Sequence, residues 1–216
     1  MATKEEQLNR ILDGGIVAIV RTESSEGLMK IVEAIEKGGI KAIEVTMTTP
    51  GALEIIKAAA VQFRGEVVIG VGTVLDAETA RAAILAGAEF VVSPITDEGV
   101  IKVAKRYSKV VMPGAFTATE VVRAWEMGAD LVKIFPTSSV GPKYISDLKG
   151  PLPHIRMIPT GGVSLETAAD FLKAGAAALA VGGNLVSKKA VAAGRYDDIT
   201  ETARKFVEIV QRARMT

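Results

Sequence analysis

Three ionisable side chains stand where the surrounding residues are apolar: Glu44 in AIEVTM, Lys133 in LVKIFP, and Arg21 directly after IVAIV. A lysine set among Val132, Ile134 and Phe135 is expected to hold its proton weakly, because burial penalises the charged form. The neutral amine that results can attack a carbonyl carbon. A carboxylate facing it can move protons during addition, dehydration and carbon–carbon cleavage, with the iminium as electron sink. The other reading is a structural Lys–Glu ion pair. Such a pair is a weak device for stability, because desolvating both charges offsets much of their attraction.

Glycines form a second constellation. Pro159-Thr160-Gly161-Gly162 and Gly182-Gly183-Asn184 each follow a short apolar run. Backbone N–H groups exposed at such turns can bind a phosphate group. One Gly-Gly is no more than a tight turn; two of them after consecutive runs favour phosphate. Gly70-Val71-Gly72-Thr73 is not a dinucleotide fingerprint, since it lacks both the third glycine and the later acidic residue.

What the chain lacks narrows the chemistry further. It has no cysteine and one histidine, His154, in the proline-bounded stretch KGPLPHIRMIP. Zinc-dependent catalysis recruits several histidines or thiolates, so no metal and no cofactor is expected, and His154 reads as a surface loop residue. The 26 Lys and Arg nearly cancel the 25 Asp and Glu, with no long basic run. Nucleic-acid and membrane partners are therefore not expected. The N-terminal MATKEEQLNRILDGG has no signal-peptide stretch, and no apolar run approaches the roughly 20 residues of a membrane span. A cytoplasmic protein is the expectation.

The elements that must position these residues follow from periodicity. Short apolar, β-branched runs occur at Ile16–Val20, Ala42–Met47, Val67–Val71, Phe90–Val92, Val110–Met112, Leu131–Phe135, Arg156–Ile158 and Ala178–Val181. Runs without polar alternation suggest parallel strands covered on both faces. Amphipathic stretches such as Ser24–Lys37, Asp76–Ala86, Asp97–Tyr107 and Thr117–Met127 separate them. Thr117 to Glu120 reads as a capping box, and Ser164 to Thr167 as another helix start. Gly39, Gly87, Gly128 and Gly175 recur between helix and strand, each suited to a left-handed helix end. They mark either an internal repeat of two strand–helix units or the ordinary preference of such turns for glycine.

Eight strands alternating with helices predict a closed (β/α)8 TIM barrel. The Lys4–Asp13 helix is expected to cover its bottom and Ile199–Arg212 to close the ring. One domain over residues 1–216 is expected. Active sites of this fold lie at the C-terminal strand ends. Glu44 and Lys133, on the second and sixth runs, fall on alternate strands and can enter one layer of the barrel interior. Strand alternation gives Ala42, Glu44 and Thr46 one face, and Leu131, Lys133 and Phe135 another.

Taken in order, IEVTMTTP, GVGTVLD, FVVSP, MPGAFTATE, VKIFPTSSVGP, GPLPHIRMIPTGGV and AVGGNLV resemble the 2-keto-3-deoxy-6-phosphogluconate (KDPG) aldolases. The bifunctional members that also cleave 4-hydroxy-2-oxoglutarate are included, and the resemblance spans essentially the whole chain. It implies a class I aldolase on a (β/α)8 barrel, commonly a homotrimer. Lys133 would be the Schiff-base lysine and Glu44 the general acid/base. Pro94, Thr73 and Thr160 would lie near the bound keto acid, with Phe135 packed beside it. Gly161, Gly162, Gly182, Gly183 and Asn184 would surround the phosphate.

Two positions depart from the pattern. Some members carry arginine to hold the pyruvate carboxylate where Thr48 stands here, and Arg21 is the cation expected to replace it. Some have serine in place of Asn184. A sugar-phosphate isomerase or synthase, with Lys133 acting only as a charge, is the competing enzyme reading. An inactive barrel serving as an assembly scaffold is the non-enzymatic one.

Overall fold

The computed structural model describes residues 2–215. The first helix, α1 (Lys4–Gly14), starts from a capping box in which Thr3 and Glu6 exchange side-chain and backbone hydrogen bonds. Strands and helices then alternate: β1 (Ile16–Val20), α2 (Leu28–Lys37), β2 (Ala42–Thr46), α3 (Ala52–Gln62), β3 (Val68–Gly72), α4 (Ala77–Ala86), β4 (Phe90–Val92) and α5 (Glu98–Arg106). The series continues through β5 (Val110–Met112), β6 (Gly114–Ala115), α6 (Ala118–Glu126), β7 (Val132–Ile134), α7 (Gly141–Lys149), β8 (Met157–Pro159) and α8 (Ala168–Lys173). It ends with β9 (Leu179–Val181), α9 (Lys188–Ala192) and α10 (Tyr196–Met215).

All strand pairs are parallel, as the apolar runs predicted. The closed eight-stranded ring is met only in part. Hydrogen bonding defines a six-stranded sheet, β5-β4-β3-β2-β1-β9, and a three-stranded one, β6-β7-β8. The fifth run forms β5 with the expected bounds, and the continuation past Pro113, which has no N–H to give to the ladder, is the separate β6. An isolated bridge between Thr160 and Ala180 links the end of β8 to β9. The hydrogen-bonded sheet is thus curled and open rather than an unbroken ring.

Helix ends follow local chemistry. Asp76, Asp97 and Thr117 each accept from a backbone N–H of the first turn, and Glu120 completes the predicted capping box. Gly39, Gly87, Gly128 and Gly175 all have positive φ, as their place between helix and strand required. Two predicted starts move. The helix expected from Ser24 begins at Leu28, after Gly27 in the left-handed region (φ 74°) and a turn in which Thr22 and Ser24 use their hydroxyls locally. The start expected at Ser164 shifts to Ala168. There the Thr167 hydroxyl accepts from the N–H of Ser164 instead of capping the helix.

Two apolar cores hold the architecture. One lies between the helices and the outer sheet face, where Ile31, Ile35, Ile56, Val71, Val121 and Phe206 are buried. The other fills the inside of the curled sheet with Val17, Ala42, Val68, Phe90, Met112, Leu131 and Ile158. Ile11 of α1 belongs to this inner core, with Leu8 and Leu12 packed against it. Lys4–Asp130 (2.7 Å) and the Gln7–Glu89 hydrogen bond (2.7 Å) tie α1 to the strand starts. Because Ala42 and Leu131 point inward, the two-residue period of a strand turns Glu44 and Lys133 inward as well.

Candidate active site

Lys133 and Glu44 are buried, at 6% and 2% exposure. Lys133 pairs in register with Gly114 on one side and Ile158 on the other, while Glu44 lies between Ile19 and Gly70. Burial pushes the Glu44 carboxyl above the usual carboxylate range, and the nearby Lys133 and Arg21 charges only partly oppose this. Burial likewise lowers the Lys133 amine below an ordinary lysine. Glu44 pulls it back up and Arg21 adds to the lowering. Each group is therefore held toward its neutral form while facing a potential proton partner. Space for the carboxylate comes from Gly72: a Cβ there would collide with the Glu44 side chain. The Phe135 ring lies 5.0 Å from the Lys133 ammonium and is itself 39% exposed, so it stands between the buried amine and solvent.

Arg21 follows β1 and reaches across the strand ends, its Nη2 donating to the Thr73 hydroxyl at 3.4 Å. Thr73 is held at φ 58°, a conformation that strains a β-branched residue. Below it lies a hydroxyl cluster. Thr46 contacts Thr48 at 3.0 Å and Thr49 at 3.3 Å, and Thr49 also accepts from the N–H of Thr22. That last bond fixes the chain next to Arg21. Thr48 is exposed and hydrogen-bonded to a hydroxyl, with no charge to offer a carboxylate.

Beyond Phe135 lies a cavity of about 260 Å³. It is lined by Thr160, Gly161, Gly162, Gly182, Gly183 and Asn184, together with Ile19, Arg21, Phe135 and Lys188. The two glycine turns thus meet at one place. Among the described residues, the N–H groups of Gly162, Gly183 and Asn184 make no turn or loop hydrogen bond to a backbone acceptor, which leaves them for an anion, while Gly161 flanks the Thr160–Ala180 bridge. The Thr160 hydroxyl is buried without a hydrogen-bond partner. The Asn184 side chain is already engaged, donating to the Val163 carbonyl at 2.8 Å and so joining the two turns.

The structure brings together most of the residues singled out from sequence, but not all. Lys133, Glu44, Thr73, Thr48 and Pro94 do not line the cavity; Pro94 packs its carbonyl against Gly114, where a Cβ would collide with it. Four contributors were not anticipated. Gly72 makes room for Glu44, and Thr49 anchors the β1–α2 loop. The buried Thr137 hydroxyl donates to the Gly161 carbonyl at 2.5 Å, fixing that turn, and Lys188 reaches the cavity wall. The polar T-S-S stretch after LVKIFP was the available signal for Thr137. For Lys188 nothing distinguished it from other surface lysines. His154 is exposed, with Trp125 edge-on at 6.4 Å. Among the described residues no cluster of three or more His, Asp or Glu could hold a metal ion. No helix among them is long and apolar enough to cross a membrane.

A lysine and a carboxylate desolvated together inside a parallel α/β sheet, beside a glycine-walled cavity, are groups suited to carbonyl chemistry. Residues 8–202 match the family model described as KDPG and KHG aldolase, and the chain belongs to that family. It is 36% identical to the 2-dehydro-3-deoxy-phosphogluconate aldolase of Treponema pallidum, over 97% of this chain and 99% of that one. It is 34% identical to the KHG/KDPG aldolase of Escherichia coli, over 90% and 92% of the two chains. Among solved structures, "Native KDPGal structure" superposes with a TM-score of 0.86 at 31% identity, covering 93% of this chain and 96% of that one.

Proposed function

We propose that this chain is a class I aldolase that cleaves KDPG into pyruvate and glyceraldehyde 3-phosphate. On the same reading it also cleaves 4-hydroxy-2-oxoglutarate into pyruvate and glyoxylate. The observation that carries the reading is the Lys133–Glu44 pair, both members buried on the inward faces of β7 and β2 and both shifted toward neutrality. Family membership supports it.

In this mechanism the neutral Lys133 amine adds to the C2 carbonyl, and loss of water leaves an iminium. In that dehydration the protonated Glu44 gives its proton to the departing oxygen, and as the resulting carboxylate it takes the proton of the C4 hydroxyl. The C3–C4 bonding electrons move toward the iminium, and the aldehyde leaves. The remaining enamine is protonated at C3, and water releases pyruvate and restores the amine. Arg21 is assigned to the keto-acid carboxylate, Thr73 and Thr160 to the keto acid beside it, and Phe135 to packing over the adduct. The Gly161-Gly162 and Gly182-Gly183-Asn184 turns take the phosphate through their N–H groups. For Asn184 the reading uses the backbone, since its side-chain amide donates to the Val163 carbonyl. Thr48 and Pro94 have no contact that supports a direct role.

Three further assignments go with this reading. Continuity of β5 into β6 around Pro113, together with the Thr160–Ala180 bridge, supports a closed (β/α)8 barrel. The chain works as one unit and assembles as a homotrimer, as the family resemblance implies; sedimentation velocity at micromolar concentration checks the trimer. Incubation with pyruvate and borohydride followed by peptide mass spectrometry tests the chemistry. The expected result is a reduced pyruvyl adduct on the peptide carrying Lys133. An unmodified peptide would transfer the case to a sugar-phosphate isomerase or synthase, or to a scaffold.

A further inference from the structure

Arg21 and Lys188 are the two cations that line the glycine-walled cavity, and among the described residues lining it there is no carboxylate. The two cations face different duties. Arg21 is directed at Thr73, on the side of the Lys133–Glu44 pair. Lys188 stands at the start of α9, four residues beyond Asn184, and its ammonium is bonded to the Glu23 carboxylate at 2.6 Å. Glu23 belongs to the β1–α2 loop, so this ion pair spans the rim between two segments far apart in sequence. Lys188 also lines a second cavity of about 240 Å³ next to the first, whose wall includes Arg21, Glu23 and Glu26. It therefore lies between an acidic side and a side walled by N–H groups.

Both partners of the rim pair are more than four-fifths exposed, at 84% and 86%. Ion pairs this open to water add little, so little is lost when the lysine changes partner. A phosphate dianion seated on the glycine turns presents twice the charge of one carboxylate, in the cavity that Lys188 also lines. Charge-assisted hydrogen bonds to such an oxyanion are the stronger kind.

We propose that Lys188 is a specificity-determining residue for the phosphorylated substrate, kept at the rim by Glu23 and transferred to the phosphate when substrate binds. This rests on the assignment of the glycine turns to phosphate. Glu23 then acts as a competitor for the same cation: it keeps Lys188 placed in the free enzyme and weakens phosphate binding in proportion.

The test compares full-length wild type, Lys188→Gln, Lys188→Arg and Glu23→Gln. Substrates are KDPG and its unphosphorylated analogue, and inorganic phosphate serves as inhibitor. Lys188→Gln is expected to lower the ratio of kcat/KM for the phosphorylated over the unphosphorylated substrate by about tenfold, and Lys188→Arg to restore most of it. Glu23→Gln is expected to raise that ratio by about two- to threefold and to tighten inhibition by phosphate. An unchanged ratio in Lys188→Gln, or an equal loss on both substrates, overturns the role of Lys188 while leaving the glycine site standing. A wild type that neither discriminates between the substrates nor is inhibited by phosphate removes the glycine site and this proposal together.

Discussion

The carboxylate of Glu44 fills the space in which a Cβ on Gly72 would stand. The two residues sit on neighbouring strands, where Gly72 pairs with Thr46, two positions along from Glu44. Gly72→Ala is expected to push the carboxylate out of place and to lower kcat at least tenfold, with stability falling by about 1–3 kcal/mol from overpacking. Replacing a glycine inside a strand would otherwise stabilise, by about 0.5–1 kcal/mol. A variant that is both more stable and fully active would show that Glu44 has room to spare.

Glu44→Gln is expected to slow cleavage by a factor on the order of 10² to 10⁴, the usual worth of a positioned acid/base. Borohydride should still trap pyruvate on Lys133, more slowly. Turnover at the wild-type rate would remove Glu44 from the chemistry.

The pH dependence of trapping follows from the same pair. Burial depresses the Lys133 amine below the 10.5 of an ordinary lysine, and the Glu44 charge raises it. The wild-type trapping rate should therefore climb with pH and level off below that value. Removing the Glu44 charge in Glu44→Gln removes the raising influence, so the midpoint should move further down in pH. A midpoint that moves up would mean that the two groups do not face each other in solution.

Arg21→Ala is expected to raise the KM for pyruvate-yielding substrates about 10- to 100-fold, from the loss of hydrogen bonds between charged groups. The melting temperature should change little, because Arg21 is exposed and, among the described residues, its side chain donates only to Thr73, at 3.4 Å. A pyruvate adduct structure with its carboxylate turned away from Arg21 would reassign that role.

The proposed phosphate recognition by backbone N–H groups implies a preference that can be measured directly. Bonds of this kind are worth about 1.5–3 kcal/mol each before desolvation of the phosphate is counted. Wild-type kcat/KM is expected to favour KDPG over its unphosphorylated analogue by roughly 10²- to 10⁴-fold. Equal values would reduce both glycine pairs to tight turns.

Much of this site could be read from the chain because its parts violate local expectation. A lysine and a glutamate inside apolar strands are conspicuous, and the period of two places them inward without any structure. Gly39, Gly87, Gly128 and Gly175 announced themselves by position, and each has the predicted positive φ. The hidden parts depend on register and on loop meetings. Gly72 matters only once β2 and β3 are aligned, and Thr137 only once its hydroxyl reaches the carbonyl of Gly161, on the loop after β8. Pro113 was visible in MPGAF, but its interruption of the ladder between β5 and β6 emerges only when the neighbouring strands are in place. Helices α3, α7 and α9 lack the start signals that mark α4, α5 and α6, since none of Gly51, Val140 and Ser187 makes a side-chain cap hydrogen bond.

The placement of α1 under the inner core carries a consequence for traffic. Ile11, flanked by Leu8 and Leu12, stoppers the end of the curled sheet opposite the strand tips. That end of the sheet interior is therefore closed, and on the proposed chemistry traffic passes on the side of the strand tips, where the glycine turns lie. The pyruvyl fragment then hangs from Lys133 inside the sheet, while the aldehyde with its phosphate lies nearer the strand tips. The first fragment to be freed is the one with nothing in front of it. Aldehyde is thus released before pyruvate, by geometry as well as by covalent attachment.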